Sequence, residues 1–152
     1  MPKASVKRLI ECKKKDLIKL VLDIEKYPEF VPFCFDAKVH ENKNEGDLTK
    51  IIADLTIGKG PFKDTYKSDV IFNKKKDSIF VKNIDGPLSH LSNNWMFTDK
   101  KNGITEVTFD IDFEIKNKFL NSLMVVSFQF GLEKIADAFQ KRAEELFGNS
   151  NN

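Results

Sequence analysis

Hydrophobic and polar positions alternate strictly between residues 105 and 115. Val107, Phe109, Ile111, Phe113 and Ile115 stand on one parity, and Glu106, Thr108, Asp110, Asp112 and Glu114 on the other. A period of two predicts a strand with one face in a core and one in water. Directly afterwards, residues 117–147 switch to helical spacing. A helix of about 30 residues is roughly 45 Å long, well above the usual length of about 11–12 residues. Such a helix cannot hide its apolar stripe on itself, so it is expected to lie across the apolar face of a sheet.

The rest of the chain supplies that sheet. Residues 3–12 read as a first strand, with Ala4, Val6, Ile10 and Cys12 on one face. Lys13-Lys14-Lys15-Asp16 opens a short helix carrying Leu17, Leu20, Val21 and Ile24, with Asp16 as its expected cap. Two prolines in Tyr27–Phe33 predict a broken helix or structured loop. Strands are then expected at 35–41, 48–57, 63–73, 78–84, around Leu91, Asn93, Trp95 and Phe97, and at 105–115. The turns between them fall at Glu41 to Gly46, Gly58-Lys59-Gly60-Pro61, 74–77, Asp85-Gly86-Pro87 and 100–103. Strands at hairpin spacing with no helix between them predict an antiparallel sheet. The fold class is therefore α+β. A curved antiparallel sheet of about seven strands grips a long C-terminal helix, with two short helices after the first strand. Residues 1–148 read as one domain and 149–152 as a flexible tail.

Composition narrows the function classes. The chain has 25 basic and 23 acidic residues, a net charge of +2, which gives no strong field to recruit nucleic acid or anionic lipid. Arg8 and Arg142 are the only arginines, the better forks for phosphate and guanine, so DNA is not an expected partner. The lysine clusters at 13–15, 74–76 and 100–101 fall at turns. They suit solvated loops, or a contact with lipid headgroups or ribosomal RNA. Cys12 and Cys34 are too few for a disulfide framework, and no Cys/His spacing resembles a metal site. With no secretory segment and no apolar run near 20 residues, the expected location is the cytoplasm.

The inward parities are rich in aromatics: Phe72, Trp95, Phe97, Phe109 and Phe113. The helix faces them with Leu120, Met124, Phe128, Ile135 and Phe139. Two readings fit, a dry core or a slot for a flat, greasy ligand. The helix is also uneven, with no charge from Phe119 to Leu132. An apolar stripe facing a core takes roughly a third of the circumference, and this run covers more. Either the 27–33 segment covers its second face, or Phe119, Leu123, Val126 and Phe130 form a greasy mouth against a membrane or partner. Arg8 shares the parity of Val6 and Ile10. It either orients a polar ligand head or pairs with a carboxylate at the sheet edge. His40 and His90 stand at no triad spacing, so no catalytic residues are assigned.

Several segments together resemble one family. Tyr27-Pro28-Glu29-Phe30-Val31-Pro32-Phe33-Cys34 is similar to an aromatic-Pro-x-Phe-Val-Pro-aromatic-Cys signature. Asp85-Gly86-Pro87 leading to Leu91, Asn94, Trp95 and Phe97 resembles an Asp-Gly-Pro-Phe…Leu…Asn-x-Trp-x-Phe block. Asp112 to Lys116 and the closing Ala138-Phe139-x-x-Arg142-Ala143…Phe147-Gly148 match its last strand and helix end. These are marks of the coenzyme Q-binding START-domain family, within the polyketide cyclase/dehydrase-like superfamily. The resemblance implies a helix-grip fold and binding of ubiquinone (coenzyme Q) with no catalytic cofactor and no turnover. It further implies quinone delivery to the respiratory chain, hence peripheral contact with the inner face of the membrane. The implied ligand site joins Phe30, Val31 and Phe33 to the inward aromatics, the helix residues and Arg8. Bacterial members are known as ribosome-association toxins, which implies binding to the large ribosomal subunit as an alternative. A cyclase/dehydrase-type enzyme is the third reading. Leu88-Ser89 and Ser92 depart from the family pattern, where Phe-Arg and an acidic residue are usual.

Overall fold

The computed structural model describes residues 3–59, 62–85, 88–116 and 118–148. The side chains at 59, 62, 85, 88, 89, 115 and 118–128 lie outside that description. In chain order the elements begin with β1 (Lys3–Ile10), α1 (Lys14–Leu22) and a 3-10 helix (Ile24–Glu29). Next come β2 (Cys34–Glu45), β3 (Leu48–Lys59), β4 (Phe62–Asn73) and β5 (Ser78–Asp85). The chain continues through β6 (Leu88–Asp99), a 3-10 turn (Lys101–Gly103), β7 (Thr105–Ile115) and α2 (Lys118–Phe147). The α+β class, the seven strands, both short helices and the long helix follow the expected order.

Several boundaries differ from the expectation, each for a physical reason. β1 stops at Ile10, where the Cys12 N–H donates to the Ile10 carbonyl at 2.9 Å and turns the chain. Asp16 is no cap: Lys13 holds the N-cap position, and Asp16 sits in the first turn, where the helix dipole favours a carboxylate. The polar run expected to turn at Glu41 is strand through Glu45, and the turn is made at Gly46, whose φ is 60°. β2 is an edge strand, so its polar side chains stay in water and its composition looks like a loop. Gly58 and Lys59 extend β3 instead of turning, while Gly60, Pro61, Gly86 and Pro87 lie outside the described residues. The turn after β6 is as expected, with Asn102 and Gly103 in left-handed backbone at φ 62° and 72°.

The sheet order is β1-β7-β6-β5-β4-β3-β2, antiparallel throughout, so the chain meanders except where the first strand pairs with the last. Alternation sets the inner face: Ile51, Ala53, Val70, Ile79, Trp95, Phe97, Val107 and Phe109 are buried there. α2 packs chiefly along β1, with further contact to β7 and α1. Polar contacts fix its direction. Gln129 reaches the Ser5 carbonyl at 3.5 Å and Gln140 the Leu9 carbonyl at 3.3 Å, and the Glu11 N–H donates to Glu144 at 3.0 Å. The helix therefore runs parallel to β1.

Candidate functional site between the sheet and the long helix

The space between α2 and the inner face is closed at the helix's C-terminal half. Trp95 stands 4.3 Å from Phe109 and 5.2 Å from Phe139 between ring centroids, and is stacked on Phe97 at 6.2 Å. Phe139 in turn meets Tyr27 at 5.4 Å and Phe30 at 5.2 Å, both edge-on, the arrangement the ring quadrupoles favour. The gap left beside Val6, Arg8, Trp95, Phe109 and Phe139 is about 20 Å³. That is room for about one water. At this end the aromatics pack closely, with Trp95 and Phe109 among the walls of the small gap and Phe97 stacked on Trp95.

Burial relaxes one row further along the strands. Ile79, Trp95 and Phe109 lie side by side across β5, β6 and β7 and are 1%, 9% and 8% exposed. The next row toward the start of α2 is Val81, Asn93 and Ile111, in which both apolar members are half-buried. Leu91 and Phe113 are buried again in the row after it. Asn93 is itself 8% exposed, and its Oδ1 has no hydrogen-bond partner. The hydrophobic pattern places Asn93 with Leu91, Trp95 and Phe97 on one parity of a strand and gives it no role. The family resemblance names Asn94 as the asparagine of the Asn-x-Trp-x-Phe block, whereas the spacing to Trp95 makes it Asn93. The strand gives these neighbours opposite faces, and the inward one is Asn93.

The 27–33 segment meets α2 at Gly131, Phe139 and Arg142, while the uncharged run's side chains up to Phe128, on which its two readings turn, lie outside the described residues. Phe30 takes the Arg142 guanidinium 5.2 Å above its ring, and Arg142 Nη2 donates to Glu29 at 2.8 Å. Phe33, at φ 70°, puts its ring edge 3.9 Å from where a Cβ on Gly131 would stand. Val31 is half-buried beside them, and the Tyr27 hydroxyl donates to the Val21 carbonyl. Burial pushes the Tyr27 and Tyr66 phenols well up, so both stay neutral.

The remaining expected site residues fall in three groups. Phe72 is half-buried on the inner face of β4, opposite Thr49 and Ile79, at the far end from the start of α2. The Arg8 guanidinium donates from Nη1 to Asp137 Oδ1 at 2.6 Å. Of its two readings, the carboxylate partner is the one found. Phe130 is 65% exposed, with the Lys134 ammonium 4.7 Å from its ring centroid. The side chains of Leu120, Met124 and Phe128, and of Phe119, Leu123 and Val126, lie outside the described residues.

His40 pairs with Asp54 at 2.8 Å and His90 with Asp112 at 3.7 Å, both between neighbouring strands on the outer face. Among the described residues no group of three or more His, Cys, Asp or Glu is placed to hold a metal. Among them too, no helix is long and apolar enough to cross a membrane.

A twisted antiparallel sheet gripping a long C-terminal helix, with short helices behind the first strand, defines the START-like helix-grip class. The family model described as polyketide cyclase / dehydrase and lipid transport matches residues 13–140, and the chain belongs to that family. The ribosome association toxin RatA of Rickettsia prowazekii is 32% identical over 142 residues, 91% of this chain and 94% of the toxin. The mitochondrial coenzyme Q-binding protein COQ10 of Dictyostelium discoideum is 32% identical over 136 residues, 87% of this chain. The chain spans 64% of that protein's length. Among solved structures, an 18 kDa protein from Caulobacter crescentus superposes with a TM-score of 0.79 at 25% identity, covering 96% of this chain and 98% of that one. The Zhui aromatase/cyclase of Streptomyces superposes at 0.78 with 11% identity over 94% and 93% of the two chains, a likeness of fold alone.

Proposed function

We propose that this chain binds a ubiquinone-like hydrophobic molecule between its inner sheet face and the N-terminal half of α2, without chemical turnover. The observation that carries the reading is the break in burial at Val81 and Ile111, on either side of Asn93 and one row beyond the closed aromatic cluster. It has the composition of a ligand pocket: apolar walls with a few polar groups among them. The name of the coenzyme Q-binding relative supports the quinone class. Binding without turnover is supported by the polar side chains beside this row, Ser68, Asn83 and Asn93, which are not usual proton donors or acceptors near neutral pH. Delivery of quinone to the respiratory chain then requires transfer at a membrane, since each buried CH₂ holds such a ligand out of water by about 0.8 kcal/mol. We place the site residues around this row, with Phe30, Val31 and Phe33 as the wall on the helix side. Solvent extraction of purified protein followed by mass spectrometry tests the reading. Co-purified quinone, or saturable binding of added quinone, is expected, and neither appearing would end it.

The second reading is association with the large ribosomal subunit, favoured by the 32% identity to the toxin RatA over 94% of that protein. The net charge of +2 with two arginines speaks against a large phosphate contact. Sedimentation with ribosomes at low and moderate salt separates the two. Co-sedimentation lost steeply with salt belongs to the ribosome reading, and absence at both salts removes it.

A further inference from the structure

Among the described residues, one buried oxygen on the inner face has no partner, and it points to the chemistry of the ligand's head. Three neighbouring strands place polar side chains together there: Ser68 on β4 directly opposite Asn83 on β5, and Asn93 on β6 beside Val81, two positions from Asn83. Diagonal neighbours of this kind lie within reach of one another's side chains. Ser68 donates to the Ala53 carbonyl at 3.2 Å, and Asn83 Oδ1 accepts from the Leu91 N–H at 2.8 Å. Asn93 Oδ1 accepts from nothing, although the residue is 8% exposed. A buried carbonyl oxygen left this way carries its full desolvation penalty, and the group that relieves it must be a donor.

Resting on the ligand reading above, we infer that Asn93 anchors the head of the bound molecule by accepting a hydrogen bond from its hydroxyl. The site thereby selects a hydroquinone or phenol over a quinone, whose ring oxygens only accept. Leu91 and Trp95 flank the anchor on the same face, and Val81 and Ile111 stand beside it. This leaves a flat ring in apolar surroundings with one polar point fixed. Holding the reduced form more tightly raises the midpoint potential of the bound couple, by about 30 mV for a tenfold preference.

Trp95, the single tryptophan, is two residues from Asn93 and reports binding by fluorescence. Anaerobic titrations would compare decylubiquinol with decylubiquinone, and 4-nonylphenol with its methyl ether, which lacks the donor. The hydroxyl-bearing member of each pair is expected to bind about tenfold tighter, the worth of a buried hydrogen bond. Asn93→Leu, similar in volume and without the orphan oxygen, should fold at least as stably and bind both members of each pair alike. Equal binding of each pair by the parent protein, as when a water fills the anchor, overturns the inference while leaving the quinone reading standing. A preference that survives in the folded Asn93→Leu variant overturns it equally. Selection of the phenol with no binding of either quinone form sustains the anchor and sinks the quinone reading. Failure of all four probes removes both.

Discussion

Arg8 and Asp137 are joined across 129 positions of chain by a 2.6 Å hydrogen bond from Nη1 to Oδ1. The pair ties the middle of β1 to the outer flank of α2, with Asp137 64% exposed and the Arg8 side chain 25% exposed. Two parts of Arg8 do different work: the stem borders the small gap beside Trp95, and the head meets the carboxylate in water. Asp137→Asn is expected to lower stability by less than about 1 kcal/mol, as for exposed ion pairs. Arg8→Ala should lower it more than Arg8→Met, because alanine also removes the stem. Urea unfolding of the three variants checks the order, and equal losses for alanine and methionine would contradict it.

Phe139 is where the sheet, the helix and the 27–33 segment meet, through Trp95, Phe30 and Tyr27. It is 4% exposed. Truncation to alanine is expected to destabilise by about 3–5 kcal/mol, and replacement by leucine by clearly less. A chemical-denaturation midpoint for Phe139→Ala close to the parent's would mean that this end of the interface is looser than described.

Alkaline pH should loosen the fold in a defined window. Burial holds the Cys12 and Cys34 thiols at about 11, against 9.0 for the free group. The Lys14 ammonium is also raised, by hydrogen bonds to Asp77 and Asp99, and both buried phenols move the same way. Between the free and folded values the folded chain keeps protons that the unfolded chain has lost, so stability falls as pH rises. Below the free thiol value these groups contribute their full effect. Urea midpoints should stay level from about pH 7 to 8 and decline from about 9 to 11. A midpoint that rises across that interval would contradict the assignment.

Phe130 offers the described part of α2 most suited to lipid: a ring 65% exposed beside the Lys134 ammonium. An aromatic with a neighbouring cation suits the headgroup boundary. Phe130→Asp is expected to change stability by no more than about 0.5 kcal/mol, and to reduce flotation with liposomes and quinone transfer. Unchanged flotation of the folded variant would place membrane contact elsewhere.

The sequence made the sheet legible because each inner residue has an outward neighbour of opposite polarity, as in Val107 to Phe113. β2 beyond Glu41 reads as a turn because an edge strand in water has no apolar face to show. The cluster of Trp95, Phe97 and Phe109 was legible as inward-facing. Whether it enclosed space was not, since alternation fixes faces and leaves volumes open. Arg8 was narrowed to two fates, and the choice depended on Asp137, a partner no local pattern could supply. Asn93 is legible as a strand position and not as a site residue, for a different reason. A lone amide among apolar positions looks like noise until the bonds of its neighbours are known.

β1 pairs with β7 from Lys3 opposite Asp112 to Ile10 opposite Thr105. On the ribosome this strand emerges early and then has no sheet neighbour until nearly all the other strands have been made. The β2–β7 meander can zip together hairpin by hairpin as it appears, whereas the seam with β1 must wait. Until then the apolar side of β1, Val6 and Ile10 above all, is open to other chains. Slow translation of the region just before β7 should therefore favour aggregation of nascent protein, and a chaperone that shields the first ten residues should relieve it.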